Sequence, residues 1–408
     1  MDRSIVNTLC CPACASDITL VPFEEDAGAS GTHHVKWGVL LCARCAVWYP
    51  IYTYAPVLLT FETPLHNRFF ERFESEIRKL GTYGTPAGKP KPGEASVQRS
   101  FTEEWDTVQN SDLSFLYTDE ELRALNEQVW LPWLASIGRP LRTVLNVGVG
   151  LGRESLALQN VLGGAEVFAV DLNLAVIQAA ERLRLQPGLH IVVASLFKLP
   201  FKKHAFDLVY SQGVIHHTFS TREALKSIAA QVAPDGYLFV WVYGLDDHLV
   251  LTGAAGSATR LLYAFEGVAR PVVARMPKAM RGAFFGVLTV AAHPLVKARV
   301  NNKAAWKLVN TNHDLRDWLS PQYAHRHSYN QLFEWFEDLG FEIVDVQSPA
   351  AYRKLFNKRL WGVGLTGHLP LRNEDRRTLR TERADRSAVE RDAAAVEHTL
   401  TLDHHAVM

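Results

Sequence analysis

Two pairs of cysteines near the start of the chain have the spacing of metal ligands. Cys11 and Cys14 form one C-x-x-C turn, and Cys42 and Cys45 form another. Such a turn places two thiolates on one side of a tight loop, so two turns supply the four sulfur ligands of a tetrahedral zinc site. Four thiolates leave no open coordination position, which indicates a structural zinc ion rather than a catalytic one. The alternative that the spacing leaves open is a module that has lost its metal.

A glycine-rich turn in the middle of the chain is typical of a cofactor site. It contains Gly148, Gly150 and Gly152, directly after an apolar run. Glycines let the backbone approach a ligand closely, and a helix that follows offers free N–H groups. The nicotinamide fingerprint needs a third glycine where Arg153 or Ser155 stands, so the observed spacing fits S-adenosylmethionine better.

An acid and a histidine pair follow two later apolar runs. Asp171 ends the run after the glycine turn, where a carboxylate can accept hydrogen bonds from the ribose hydroxyls of either cofactor. His216 and His217 follow another such run. A base is needed only where the acceptor must lose a proton, and His217 is the candidate for that role or for a substrate contact. The alternative for both histidines is a structural role in capping the loop.

Short β-rich runs alternate with helix-length segments from residue 142 onward. The predicted strands are Thr143–Val149, Glu166–Leu172, His190–Leu196, Phe206–Val214, Tyr237–Tyr243 and Phe341–Val346, with a last one inside Lys354–Gly367. This alternation predicts an α/β fold in which helices cover both faces of a doubly wound, parallel sheet. The glycine turn, Asp171 and the histidines would then lie at one edge of that sheet.

Four consecutive segments together resemble class I S-adenosylmethionine-dependent methyltransferases. They read VLNVGVGLGRESLAL, VFAVDLNLAVIQAA, IVVASLFKLPFKKHAFDLVYSQGVIHHT and LKSIAAQVAPDGYLFVWVY, and they lie within about residues 140–245. They are most similar to the type that acts on small molecules and carries a His-His pair after the fourth strand. The resemblance implies a Rossmann-like sheet of seven strands with an antiparallel last strand, and a cofactor across the carboxyl ends of the strands.

The same resemblance implies roles for individual residues. For the methionine and ribose, it implies that Gly148, Gly150 and Gly152 line both and that Asp171 holds the ribose. For the adenine, it implies that Leu172 packs on the ring and that Ser195 and Leu196 lie beside it. At the methionine end of the cofactor, it implies a lining of Ser211, Gln212 and Gly213. Asn146 and Ser195 stand where this family usually has aspartate, which leaves a non-catalytic protein of the same fold open. In this family the segment before the sixth strand folds over the acceptor, which implies acceptor contacts at Tyr323, His325 and His327.

The N-terminal module, residues 1–62, resembles a small zinc-ribbon protein that is the partner subunit of several tRNA and protein methyltransferases. The shared residues are the two cysteine pairs, Tyr49-Pro50-Ile51 and Pro56-Val57-Leu58-Leu59. The resemblance covers about residues 4–62 and implies a docking or stabilising role. A module this poor in core residues would depend on its zinc ion for stability.

The rest of the chain divides into further predicted segments. We expect a linker at 63–100, a methyltransferase core with the cofactor site at 101–248, a helical insertion or lid at 249–312, the C-terminal part of the fold at 313–368, and a charged, disordered tail at 369–408. Ser328 and Gln331 form a predicted capping box at the start of a helix over Tyr329–Leu339.

The insertion has two predicted roles. Between residues 249 and 300 it carries seven Lys and Arg residues and one acid, Glu266. Its apolar face is expected to consist of Leu261, Leu262, Phe265, Phe284 and Phe285. A substrate lid is the first interpretation, and peripheral contact with a membrane surface or an anionic acceptor is the second. The longest weakly polar stretch, residues 284–296, is shorter than the roughly 20 apolar residues that a membrane-spanning helix needs.

The charge balance limits the partners of the chain. Its 408 residues include 43 basic and 43 acidic ones, so no global positive field recruits nucleic acid, and we expect no DNA partner. The polar start predicts no signal peptide and therefore a cytoplasmic protein. The leading hypothesis is methyl transfer from S-adenosylmethionine to the oxygen or nitrogen of a small molecule, which could be lipid-like. An RNA methyltransferase, suggested by the zinc ribbon and the basic insertion, and a non-catalytic binding protein are the alternatives.

Overall fold

Eleven strands form one mixed β-sheet in the computed structural model, which describes residues 1–27, 33–108, 117–245, 253–299, 307–357 and 362–371. The strands are β1 (Thr19–Ala27), β2 (His33–Cys42), β3 (Val47–Tyr52), β4 (Ala55–Leu58), β5 (Thr143–Val147), β6 (Glu166–Asp171), β7 (Leu189–Ala194), β8 (Phe206–Gln212), β9 (Val232–Val242), β10 (Glu342–Val346) and β11 (Val363–His368). Their order across the sheet is β1-β2-β3-β4-β7-β6-β5-β8-β9-β11-β10.

The described residues also form twelve α-helices. They are α1 (Pro64–Arg72), α2 (Glu74–Lys79), α3 (Glu94–Val108), α4 (Asp119–Leu125), α5 (Arg153–Val161), α6 (Val176–Leu183), α7 (Thr221–Ala229), α8 (Gly253–Arg275), α9 (Lys278–Arg299), α10 (Leu308–Leu319), α11 (Tyr329–Asp338) and α12 (Pro349–Phe356).

The strands from β5 onward have the predicted α/β arrangement. The neighbours β7, β6, β5, β8 and β9 are parallel, and β11 runs antiparallel to both β9 and β10. The expectation of a seven-stranded sheet nevertheless needs correction, because the sheet continues past β7. There β4 pairs in parallel with β7, with Val57 beside Val193 and Leu58 beside Ala194, and so joins the N-terminal strands to the same sheet.

Both faces of the central strands are buried. In β6, Val167 and Ala169 belong to the apolar cluster on one face. Phe168 and Val170 belong to the cluster on the other face. Side chains alternate along a strand, so a continuous apolar run places a buried residue on each side of the sheet. Complete burial of one such large aliphatic or aromatic side chain stabilises the fold by roughly 1.5–3 kcal/mol. The buried strands therefore fix the positions of the loops at their ends.

The linker predicted at 63–100 is wrong for much of its length, because it contains α1, α2 and the first half of α3. Phe69, Phe73 and Ile77 recur every four residues and pack in one cluster with Trp37 of β2. Residues with that spacing lie on one side of a helix. The glycine and proline content of the segment directed the prediction toward a linker, although the apolar spacing indicated helix.

The predicted insertion is helical, but its end differs from the prediction. Helix α10 begins before residue 312 and continues to Leu319. Val273 of α8, Phe285 of α9 and Leu315 of α10 pack in one apolar cluster. The described part of the chain contains no helix whose length and apolar character would let it cross a membrane. The predicted charged tail lies outside the described residues from 372 onward.

The predicted apolar face of the insertion is divided between two sides. Leu261 and Phe265 are exposed, whereas Phe285 is buried and Phe284 is half-buried. The side chain of Leu262 lies outside the described residues. The expectation of one continuous apolar face was therefore wrong. The predicted residues of α9 pack inward against α10, whereas those of α8 point outward.

Candidate active site

The glycine turn joins β5 to α5 and has a backbone that only glycine adopts readily. Gly148, Gly150 and Gly152 have φ angles of 80°, 52° and 81°. A Cβ atom added to Gly148 would lie 2.1 Å from Val214, and one added to Gly150 would lie 2.6 Å from Trp105. Both the positive φ angles and the lack of space therefore require glycine.

Asp171, the last residue of β6, connects the glycine turn to the neighbouring strand. Its Oδ2 accepts hydrogen bonds from the N–H groups of Val149 at 2.8 Å and Gly150 at 2.9 Å. Its Oδ1 accepts one from the N–H of Asn173 at 2.8 Å. Burial raises the pKa of the Asp171 carboxyl above its ordinary value, and these donors partly offset the shift because they stabilise the charged form.

A cavity of about 230 Å³ lies at the carboxyl ends of the central strands. Eight of the predicted site residues are in its wall, namely Gly148, Gly150, Asp171, Leu172, Leu196, Gln212, Gly213 and His217. The wall thus combines a carboxylate and an amide with the apolar side chains of Leu172 and Leu196. A cavity of this composition can hold a ligand that has both polar and apolar parts.

Four residues predicted for the cofactor site are not in the cavity wall: Asn146, Gly152, Ser195 and Ser211. The buried Asn146 donates a hydrogen bond from Nδ2 to Oγ of Ser155 at 3.0 Å, which ties β5 to α5. Ser195 accepts a hydrogen bond from the N–H of Phe197 at 3.1 Å and so shapes the turn after β7. The structure therefore gives Asn146 and Ser195 supporting contacts with the neighbouring chain, because short polar side chains find partners close to their own backbone.

His217 lies in the cavity wall, in a short helical turn after β8. Its Nδ1 lies 2.8 Å from the backbone carbonyl oxygen of Tyr323, so Nδ1 carries the proton and Nε2 keeps its lone pair. Nε2 is buried and has no hydrogen-bond partner among the residues that the structure describes. Burial, assisted by the charge of Arg270, lowers the pKa of His217 to about 3, so the ring is neutral at pH 7. His216 lies outside the wall, and its ring packs at a tilt against that of Tyr243 with centroids 4.0 Å apart.

The three residues predicted to contact the acceptor, Tyr323, His325 and His327, are not in the cavity wall. Tyr323 holds His217 through its carbonyl oxygen. Nε2 of His325 lies 3.0 Å from the carbonyl oxygen of Thr218, and Nε2 of His327 lies 2.8 Å from Oγ1 of Thr221. These contacts hold the chain around His217, and the acceptor role of the three residues stays a prediction.

Helices α3 and α10 contribute residues to the cavity that the sequence did not indicate. Glu104 of α3 is in the wall and only 1% exposed, and its Oε1 lies 3.4 Å from Nδ1 of His313 on α10. Its Oε2 has no hydrogen-bond partner in the described part of the chain. Burial and the charge of nearby Asp317 raise the pKa of Glu104 well above its usual range. Asp317, also in the wall, accepts a hydrogen bond from the hydroxyl of Tyr243 at 3.1 Å.

Helix α3 also supplies aromatic side chains to the cavity. Phe101 and Trp105 are in the wall with Glu104, and the three lie on one side of α3 because they are three and four residues apart. The ring of Phe101 lies edge-on to His217, with centroids 5.3 Å apart. The apolar spacing was a readable signal for an inward-facing helix, although it did not indicate that a glutamate on the same side would be buried.

The four predicted zinc ligands come together in the N-terminal module. The sulfur atoms of Cys11, Cys14, Cys42 and Cys45 all lie within 4.8 Å of one another. Those of Cys14 and Cys42 are 3.5 Å apart, and those of Cys11 and Cys45 are 3.9 Å apart. Four sulfurs placed about 2.3 Å from a tetrahedral zinc ion would be about 3.8 Å apart. The cluster therefore has the dimensions of a four-thiolate zinc site.

Comparison with known proteins identifies one part of the chain. Residues 145–240 match the family described as a methyltransferase domain. An uncharacterized methyltransferase of Bacillus subtilis is 26% identical over 136 residues, which are 32% of this chain and 53% of that protein. A malonyl-[acyl-carrier protein] O-methyltransferase of Halorhodospira halophila is 32% identical over 116 residues, which are 28% of this chain and 39% of that protein. A probable tRNA methyltransferase 9B of Mus musculus is 40% identical over 63 residues, which are 14% of each chain.

Two solved structures are similar over a larger share of the chain, at low identity. One belongs to the complex that contains the Haloferax volcanii Trm112 methyltransferase activator, with 15% identity, 68% of this chain and 99% of that chain covered, and a TM-score of 0.40. The other is the 1,6-didemethyltoxoflavin-N1-methyltransferase of Burkholderia thailandensis, with 16% identity, coverage of 70% and 93%, and a TM-score of 0.40. This chain spans only 14–53% of the three curated relatives, so their similarity concerns a domain. The segment that matches the methyltransferase-domain family, residues 145–240, contains the glycine turn, Asp171 and His217.

Proposed function

We propose that this protein transfers a methyl group from S-adenosylmethionine to the oxygen or nitrogen of a small-molecule acceptor. The observation that carries the proposal is the cavity in which the glycine turn, Asp171 and His217 meet, inside the segment that matches a methyltransferase domain. The names of the curated relatives refer to tRNA and to malonyl-acyl-carrier protein. They therefore support methyl transfer more strongly than they support any one acceptor.

The residues of the wall suit this cofactor. Asp171 would accept hydrogen bonds from the ribose hydroxyls, and Leu172 would pack against the adenine. Gly148 and Gly150, which are both in the cavity wall, would line the methionine and ribose. When bound, S-adenosylmethionine supplies a methyl group on a positively charged sulfur, and its transfer requires alignment with the acceptor and exclusion of water.

We assign proton transfer to Glu104 and acceptor positioning to His217. A base works best when its pKa is near the working pH. Burial raises the pKa of Glu104 well above its usual range, whereas it lowers that of His217 to about 3, so the carboxylate is the stronger base of the two. The lone pair on Nε2 of His217 would accept a hydrogen bond from the acceptor. Oε2 of Glu104 would accept the proton that an O–H or N–H acceptor loses.

A small acceptor fits the surroundings of the cavity better than a folded RNA does. Phe101 and Trp105 of α3 and His313 of α10 close over the sheet edge, which leaves a pocket rather than an open groove. The chain also has a formal net charge of zero, whereas non-specific RNA binding depends on phosphate neutralisation by basic residues.

We further propose that the four-cysteine cluster binds one structural zinc ion. The support is the dimensions of the cluster and the chemistry of four thiolates. The proposal includes a cytoplasmic location, because a four-thiolate zinc site needs reduced cysteines and thiols persist in a reducing compartment. The N-terminal module would stabilise the methyltransferase domain through the pairing of β4 with β7.

The decisive experiment is a calorimetric titration of the zinc-loaded protein with S-adenosylhomocysteine. We expect micromolar binding, and binding roughly 30-fold weaker or worse in Asp171→Ala, because a charged group that accepts several hydrogen bonds is removed. Asp207→Ala is the matched control. Asp207 also accepts hydrogen bonds from two backbone N–H groups, of Arg142 and Thr143, but it is not in the cavity wall.

The outcomes separate the alternatives. Absence of binding by the folded, zinc-loaded protein would overturn the proposal and favour a non-catalytic role for the fold. Equal losses in Asp171→Ala and Asp207→Ala would mean that the cavity is not the cofactor site. If the protein binds S-adenosylhomocysteine, methyl transfer is measured as release of S-adenosylhomocysteine from S-adenosylmethionine in the presence of small-molecule pools or of bulk RNA. Turnover on RNA alone, with affinity that falls steeply with salt, would replace the small acceptor by RNA.

A further inference from the structure

An exposed apolar stripe runs along each helix of the α8–α9 pair. On α8 it consists of Leu261, Phe265, Val268 and Val272, which are 55–74% exposed. On α9 it consists of Met280, Val287, Val290 and Leu295, which are 60–74% exposed. The four residues of α8 recur at helical spacing and lie on one side, and those of α9 share one broader side. Eight of the twelve large apolar side chains exposed in the described residues thus belong to this helix pair.

The opposite sides of the two helices are already packed against the protein. Val273 of α8 and Phe285 of α9 lie in one apolar cluster with Leu315 of α10. The buried Arg281 of α9 donates hydrogen bonds of 2.9 and 2.6 Å to Glu103 of α3. The helix pair is therefore fixed by its inner side. A helix that is apolar on both sides is normally covered on both, so the outer stripes indicate a second apolar partner.

The charged residues beside the outer stripes are basic. Arg275 is exposed where α8 meets α9, and Lys297 is exposed toward the other end of α9. Between residues 249 and 307 the sequence contains a single acid, Glu266. That side chain is only 2% exposed and forms ion pairs with arginines on the inner side. The outer face therefore combines apolar side chains with positive charge and no exposed acid.

We propose that the outer face of the α8–α9 pair docks the protein onto an anionic lipid surface. The apolar stripes would enter the boundary between head groups and acyl chains, and Arg275 and Lys297 would lie near the lipid phosphates. This combination of apolar burial and cationic attraction is what binds interfacial helices to acidic membranes. A second copy of the chain fits the face less well, because it would bring the same cations together without an exposed acid in either helix pair to neutralise them.

The proposed docking face is connected to the cavity through neighbouring helices. Helix α10, against which the pair packs, carries His313 and Asp317 in the cavity wall, and α3, which Arg281 holds, carries Glu104 there. Helices α3 and α10 thus contact the helix pair and also carry the cavity residues Glu104, His313 and Asp317. The inference goes beyond methyl transfer, and its test requires no turnover.

The test is flotation of the full-length protein with vesicles of equimolar phosphatidylcholine and phosphatidylglycerol, compared with phosphatidylcholine alone. We expect binding to the anionic vesicles that falls with added salt. The double variant Val268→Glu with Val290→Glu should bind at least about tenfold more weakly, because it places charge in the stripes. The double variant Arg275→Gln with Lys297→Gln should bind about 25-fold more weakly, since each cation near an anionic surface contributes about fivefold.

Matched controls keep the result specific. Leu185→Glu changes an apolar residue that is 61% exposed outside the helix pair, and Arg68→Gln with Lys89→Gln removes two exposed cations elsewhere. Both should bind like the unchanged protein, and unaltered melting temperatures should show that every variant is folded. Failure of the unchanged protein to float with anionic vesicles would overturn the proposal. Equal losses of vesicle binding in the test and control variants would also overturn it. So would sedimentation that shows a dimer of the unchanged protein, absent in the Val268→Glu, Val290→Glu variant, together with no binding to vesicles.

Discussion

Gly150 is a position of the glycine turn where two constraints act on the same residue. Its φ of 52° disfavours any L side chain, and an added Cβ would lie 2.6 Å from the ring of Trp105. Gly163, after α5, has a φ of 68° but has open space around its Cβ position. The pair therefore separates backbone strain from steric collision.

We predict that Gly150→Ala lowers the affinity for S-adenosylhomocysteine strongly, because Trp105 or the turn must move. Gly163→Ala should keep that affinity and lose only the roughly 1–2 kcal/mol of stability that a left-handed alanine costs. Calorimetric titration and urea unfolding of both variants measure the two effects. Retention of full affinity in Gly150→Ala would show that the turn does not contact the cofactor.

Glu104 and His217, the two titratable residues assigned to the acceptor, are predicted to respond differently to substitution. Glu104→Gln should lower kcat by about 10²–10⁴-fold and remove the rise in rate with pH, since a carboxylate acts as a base only above its raised pKa. His217→Gln should raise the KM for the acceptor and leave the shape of the pH profile unchanged, because the ring is neutral above about pH 3. Initial rates over a pH series, with an acceptor found by screening, measure both. A pH profile that flattens in His217→Gln and persists in Glu104→Gln would reverse the assignments.

Helix α1 contains a capping box that depends on the neutral form of a histidine. The backbone N–H of Thr63 donates a hydrogen bond to Nδ1 of His66 at 3.1 Å, so Nδ1 must be unprotonated. Burial lowers the pKa of His66 from 6.5 to about 4. A histidine whose pKa is lowered in the folded state binds its proton first in the unfolded chain. Its contribution to stability is therefore complete above pH 6.5 and is lost as the pH falls toward 4.

We predict that His66→Gln reduces the loss of stability on acidification. Glutamine can complete the same capping box but does not titrate. Between pH 7.5 and 5.5 the unchanged protein should lose about 1.4 kcal/mol more free energy of unfolding than the variant does. Urea unfolding at both pH values measures the difference. His33→Gln, an exposed change on β2, serves as the control, and a similar effect there would contradict the argument from burial.

Elements with a strong local pattern were predictable, and those that depend on distant packing were not. The central strands are continuous apolar runs, and the capping box of Ser328 and Gln331 at the start of α11 is confirmed by hydrogen bonds of 3.2 and 3.3 Å. Asp171 and His217 were predicted for the site because they follow such strands, and both lie in the cavity wall. Glu104 was missed because its burial depends on α10, whose His313 is more than 200 residues further along the chain.

At the scale of the whole molecule, one sheet connects the cysteine cluster to the cofactor cavity. Leu58 of β4 pairs with Ala194 of β7, and Ala194 is in the cavity wall. The N–H of Cys10 also donates a hydrogen bond of 2.8 Å to the carbonyl oxygen of Pro200 in the loop after β7. The sequence indicated both modules but not this continuity, because strand pairing across the boundary leaves no local pattern.

We predict that removal of zinc weakens cofactor binding as well as the N-terminal module. Chelation should lower the melting temperature and the affinity for S-adenosylhomocysteine together, because β4 loses its support and β7 its neighbour. Cys14→Ser should reproduce both effects. Cys10→Ser, which changes a buried cysteine outside the cluster of four, should reproduce neither. Full affinity in the metal-free protein would show that the two sites are independent.

The parallel pairing of β4 with β7 also has a consequence during synthesis. Val57 and its partner Val193 are about 136 residues apart in the chain. At roughly 5–20 residues per second, a ribosome needs about 7 to 27 seconds to deliver β7 after β4 has emerged. Throughout that interval the nascent β4 has an open edge of unpaired backbone groups, which is the kind of edge that recruits other strands. The order in which the two partners leave the ribosome therefore makes this edge the point where the newly made chain most needs protection from aggregation.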